Sequence, residues 1–190
     1  MSPVSKAYRG IRDGDYGEWD EVSDAADEAD YRLLQDTAAE MADRFDPATL
    51  NEQDALSYRL FELSAQRSAS LWPYRKLGYI FDQRRGPHST IPAFLINIHR
   101  VSTLEDAEAY VARIEGIGPR LDAFTQESRE RANAGVMPPD WVYPQIISDL
   151  EGLLAAGDNN AVLTDLDAKL GTLTPDLPDD TPAEASAIIY

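Results

Sequence analysis

The sequence predicts an all-α fold, an irregular array of about six to eight helices with an aromatic-rich connection at residues 72–100. Two patterns carry that expectation, and an absence supports it. Apolar residues recur at three- and four-residue spacing, the period of a helix face. Capping residues precede the apolar stretches, and Pro or Gly ends them. No strand-like alternation with hairpin turns and no repeat of fixed period occurs.

The elements follow in order. From Val22 the apolar positions are Ala25, Ala26, Ala29, Leu33, Ala38 and Met41, with acids on the other face. This spacing predicts a solvent-facing amphipathic helix of about six turns. It stops before Asp46-Pro47, because a residue ahead of proline avoids helical backbone angles. Asn51 offers the next cap, with Glu52 and Asp54 in the first turn, where the helix dipole favours acids. Leu56, Leu60 and Leu63 share one face of that helix, which is expected to reach Leu71, just ahead of Pro73.

No single period fits residues 72–100, which hold Trp72, Tyr74, Tyr79, Phe81, the run Arg84-Arg85-Gly86-Pro87-His88 and His99. An irregular connection is expected there, with a short buried helix near Pro92–Ile98. Thr103 and Asp106 form a capping box, weakened by the shorter acidic side chain. Ala107, Tyr110, Val111 and Ile114 then line one helix face. Gly116 and Gly118 break that helix, Pro119 suits the first turn of the next, Leu121 and Phe124 carry its apolar face, and Gly135 ends it. Pro138-Pro139 open another helix, with Val142, Ile146, Leu150, Leu153 and Leu154 inward and Gly157 closing it. A shorter helix carries Val162, Leu166 and Leu170.

Residues 174–182 read as a stiff acidic, Pro-rich linker. Thr181, Pro182 and Glu184 then cap a helix that reaches Tyr190 after barely two turns. Isolated helices shorter than about 12 residues are unstable in water. One reading is a frayed terminus. The other is that residues 1–173 are the N-terminal helical region of a longer protein, followed by a linker and a truncated helix.

Charge narrows the function classes. The 190 residues hold 34 acids and 17 bases, a formal charge of −17. Residues 1–54 carry 15 acids and 5 bases, residues 55–157 carry 12 and 11, and residues 158–190 carry 7 and 1. Acidic flanks thus surround a nearly neutral body. Phosphate contacts need clustered Lys and Arg, so nucleic acid is not an expected partner, and anionic membrane surfaces are disfavoured likewise. The longest apolar stretch, Ile91–Ile98, is far too short to span a bilayer. The first residues show no apolar h-region of a signal peptide. With no cysteine, disulfides, thiolate zinc sites and cysteine nucleophiles are excluded.

The search for reactive groups returns little. His88 and His99 lie outside any H-E-x-x-H pattern, and no neighbouring acid completes a ligand set. His88-Ser89 lacks a nucleophile elbow. Asp13–Asp24 matches a calcium loop poorly, because Glu18 stands where glycine is required and Asp24 where a bidentate Glu belongs. Arg84-Arg85 could hold a carboxylate or phosphate, or answer the protein's own acids. No catalytic and no metal-ligating residue is assigned.

Three phrases carry a resemblance. They are Gly86–Val101, which reads GPHSTIPAFLINIHRV, then Asp106–Glu115, and then Gly135–Pro144. Together with Tyr8–Ile11 and Ala55–Phe61 they resemble the front region of the bacterial family called domain of unknown function 885. The resemblance implies a mostly helical, considerably longer protein, similar to zinc metallopeptidases, with an H-E-x-x-H helix beyond this chain. It implies zinc as a cofactor of the full-length relative but places none here. It also implies a missing C-terminal catalytic region as partner, a peptide substrate, and a periplasmic or extracytoplasmic location.

The expected function is therefore a non-catalytic N-terminal portion of a peptidase-like hydrolase that walls part of a substrate channel. Trp72, Tyr74, Tyr79, His88 and His99 are the candidate wall residues, with core packing as the competing role. The alternative is a self-contained acidic helical protein-binding module.

Overall fold

The computed structural model describes residues 1–173. The linker and truncated helix expected at 174–190 lie outside the described residues. Regular structure among the described residues is helical, as α1 (Pro3–Tyr8), α2 (Asp24–Arg44), α3 (Glu52–Leu71), α4 (Pro87–Asn97), α5 (Leu104–Glu115), α6 (Ile117–Asn133), α7 (Tyr143–Ala155) and α8 (Ala161–Gly171), with short 3-10 turns between. The chain divides into two compact units. Among the described residues, one takes 1–20, 79–130 and 137–173, and the other takes 21–78 and 131–136.

The second unit is built on the α2–α3 pair. Ser23 caps α2 by accepting from the Ala26 N–H at 3.0 Å. Asn51 caps α3 by accepting from the Asp54 N–H at 3.0 Å. Both boundaries of each helix fall within two residues of expectation, because caps and prolines act locally.

The inward faces differ from expectation. Leu56, Leu60 and Leu63 are all exposed, and α3 instead turns Ala55, Tyr58, Phe61 and Ala65 toward α2. α3 has two apolar stripes, and a single partner helix covers only one. The small side chain of Ala65 lets α2 approach closely, and the Gln35 amide donates to the Ala65 carbonyl at 3.1 Å. On α2, likewise, Leu33 faces out while Leu34, Ala38 and Met41 are half-buried.

The first unit has a core of Ala7, Tyr16, Phe94, Leu95, Tyr110, Val162 and Leu166. α1 is six residues long, too short to display an apolar period, and escapes the sequence reading. It is held by Asp20, whose carboxylate accepts from the Ser2 hydroxyl and the Val4 N–H, each at 2.9 Å.

α4 starts at Pro87, earlier than expected, with the proline at a position where its missing N–H costs nothing. It also runs through Pro92. An interior proline costs roughly 3 kcal/mol, and the burial of Ile91, Phe94 and Leu95 opposes that cost. The capping box on α5 is fully formed despite the short Asp106 side chain. Gly116 separates α5 from α6, and a Cβ there would lie 2.8 Å from the Trp19 ring. Val142, just ahead of α7, and Ile146 in its first turn are buried, but Leu154, expected inward, is 82% exposed. Leu153 in the same turn is half-buried, and Leu154 lies about 100° further round the helix, off the inward face.

Candidate functional site

The five sequence candidates separate by exposure. In the second unit, Trp72 is half-buried and stacks on Tyr31 with ring centres 4.3 Å apart, while the Arg75 guanidinium lies over the Trp72 ring, 4.1 Å from its centre. Tyr74, nearby, is open to solvent. In the first unit Tyr79 is exposed, whereas His88 and His99 are enclosed. The two histidines have different neighbours. His88 lies 6.2 Å from the Phe81 ring. His99 lies 4.3 Å from Tyr16 and 5.0 Å from Tyr110.

His99 sits at the end of α4 because the chain turns there into the Thr103 cap. Its Nε2 pairs with the Asp106 carbonyl at 3.1 Å, and Nδ1 is buried without a protein partner. Burial pushes its pKa down to about 4 from the ordinary 6.5, and the nearby Arg113 and Lys169 charges act in the same direction. The native ring therefore stays neutral while the unfolded ring takes up a proton below about pH 6.5. Stability is fully present above that pH and is lost progressively as pH falls toward 4, by up to about 3 kcal/mol. Denaturant melts of the wild type and His99→Gln between pH 7 and 4.5 are expected to converge as the pH falls. Parallel curves would refute this assignment.

Beside His99 lies a group of cations that the sequence reading missed. Arg113 is completely buried. Its Nε donates to the Tyr16 carbonyl at 2.7 Å, and Nη1 and Nη2 find no protein acceptor. Aromatic faces surround it instead, with Phe94 at 4.6 Å, Trp19 at 5.1 Å and Tyr16 at 5.5 Å. Burial lowers its pKa to about 10, so it remains charged at neutral pH. Arg120 lies over the Trp19 ring at 5.1 Å and donates to the Asp20 carbonyl. The available signal was spacing. Ala107, Tyr110 and Arg113 recur every three residues, which places Arg113 on the inward face of α5.

Two polar networks complete the cluster. Asp106 accepts from the Ser102 and Thr103 N–H groups and from Arg12 at 2.6 Å. Lys169 donates to the carbonyls of Leu95, Ile96 and His99 and pairs with Asp165, which also accepts from the Tyr110 hydroxyl at 2.9 Å. Burial raises the Tyr110 pKa, so the phenol stays protonated and acts as a donor.

Chemically this arrangement is a scaffold. Its neutral imidazole and protonated phenol are both held by fixed partners. Among the described residues no three His, Asp or Glu side chains converge to hold a metal ion. The zinc that the resemblance implies therefore has no donor set in them. The second unit holds an open groove of about 300 Å³ at the turn end of α2, lined by Thr37, Glu40, Met41, Arg44, Phe45 and Phe61. No helix among the described residues is long and apolar enough to cross a membrane.

Comparison with known proteins places the chain. The model of the family described as "Bacterial protein of unknown function (DUF885)" matches residues 3–189. No curated protein and no solved structure matches.

Proposed function

Since the chain belongs to the DUF885 family, we propose that it is the non-catalytic helical portion of a zinc-dependent, peptidase-like hydrolase and forms part of its substrate-channel wall. The family match along residues 3–189 is the observation that carries this reading. Zinc and the H-E-x-x-H helix would come from a C-terminal catalytic region, the peptide from outside, and the location would be periplasmic or extracytoplasmic. Of the five wall candidates, Tyr74 and Tyr79 have the exposure a substrate contact needs. Trp72 would act within its own unit by holding Tyr31 and Arg75, and His88 and His99 would act by holding α4. The test is turnover of a peptide library by the 190-residue chain with added zinc. No cleavage is expected, and chelator-sensitive turnover would overturn the reading.

A second reading, an acidic protein-binding module, is favoured by α2. That helix carries seven acids against two arginines and has no buried residue. A stoichiometric partner released by salt would favour it over the first.

A further inference from the structure

The exposed face of α3 has a pattern that no neighbour in its own unit uses. Glu52, Leu56, Leu60, Leu63 and Arg67 succeed one another at spacings of four, four, three and four residues. At about 100° per residue they fall within roughly 80° of arc, a single stripe along the helix. Leu56, Leu60 and Leu63 are 43, 57 and 50% exposed. An acid stands at one end of the leucines and a base at the other.

We propose that this stripe is the contact surface for a second copy of the same chain, with the two α3 helices running antiparallel. The order acid, three leucines, base is self-complementary under a two-fold axis near Leu60. Leu56 then meets the partner's Leu63, each Leu60 lies beside the other, and each Glu52 faces the partner's Arg67. Two-fold pairing of this kind puts the same patch on both partners and closes without further growth.

Charge selects this helix over its neighbour. α2 holds seven acids and two bases, and two copies would repel there. α3 holds three acids and two bases, close to neutral. Apolar surface and end-to-end charge matching therefore coincide on the one element of the pair that can approach its own copy. Three leucines on one helix bury less than a permanent interface does, so the dimer is weak and concentration-dependent.

Sedimentation of the full 190-residue chain from about 1 to 300 µM tests this, since weak contacts of this size associate in that range. The wild type is expected to shift from monomer to dimer. Glu52→Arg and Arg67→Glu each place like charges together and are expected to weaken association about tenfold. The double exchange restores the pairing and is expected to recover most of the loss, a reciprocity that mere surface charge would not show. Both residues are exposed, so neither change threatens the fold. Leu60→Glu is the second variant and is expected to leave a monomer of unchanged helicity. A wild type that stays monomeric throughout, a dimer indifferent to these variants, or a double exchange without recovery each overturns the proposal. So does a Leu60→Glu variant that melts below the wild type at a concentration where both are monomeric, since the stripe would then be covered within its own chain.

Discussion

Replacing Arg113 with alanine is expected to lower the melting temperature by about 10 °C, the scale set by a loss of roughly 4 kcal/mol in a chain of this size. The side chain is completely buried, so alanine removes the Nε bond to the Tyr16 carbonyl and opens a cavity between three rings. Phe94, Trp19 and Tyr16 all lose the group they pack on. Arg113→Met separates volume from charge. Methionine fills much of the same space and removes two buried nitrogens that have no acceptor, while leaving the Tyr16 carbonyl unpaired. Burying unpaired polar groups is costly, so the methionine variant is expected to fall between the alanine variant and the wild type. Thermal melts of the three proteins check the order. An alanine variant melting within about 2 °C of the wild type would show that the cation is not a core element, because a buried truncation costs more than that.

Lys169→Met is expected to cost about 3 kcal/mol, from buried polar groups left unpaired. Its ammonium joins the end of α4 to α8. It donates to the carbonyls of Leu95, Ile96 and His99 at 2.9, 3.1 and 2.8 Å, and it pairs with Asp165 at 2.6 Å. The last carbonyls of a helix lack partners within it, and here one lysine serves two of them, Leu95 and Ile96, and the His99 carbonyl just past the helix end. Methionine keeps the length of the stem but leaves those carbonyls and the carboxylate unpaired. Adding Asp165→Asn removes the orphaned charge and still offers the Tyr110 hydroxyl an acceptor. The double variant is therefore expected to recover about 1 kcal/mol of the loss. Urea denaturation of both variants measures this. A double-variant loss equal to the sum of the losses of Lys169→Met and Asp165→Asn measured singly would show that Lys169 and Asp165 are not coupled.

Those two residues mark what a sequence reading reaches. Lys169 was legible only as a base near the end of a short helix, and Arg113 only as an arginine at an inward spacing. Their partners lie far along the chain: Tyr16 is 97 residues from Arg113, and Leu95 is 74 from Lys169. The capping box at Thr103 was legible in full, because both halves lie within three residues. α4 was legible only in part. A helix through Pro92 is disfavoured locally and exists because Phe94 and Leu95 are buried. Among the wall candidates, the aromatic residue types could be read, but exposure could not. Tyr74 and His99 looked alike as candidates and lie at opposite extremes of burial.

By itself the sequence determined the helical class, most helix boundaries and the acidic flanks, since caps, prolines and charge counts act within a few residues. Only the tertiary structure decided which of two apolar stripes on α3 is covered, and that an arginine sits among the rings of the core. Both outcomes depend on which surface arrives opposite, and that surface comes from a segment distant in the chain.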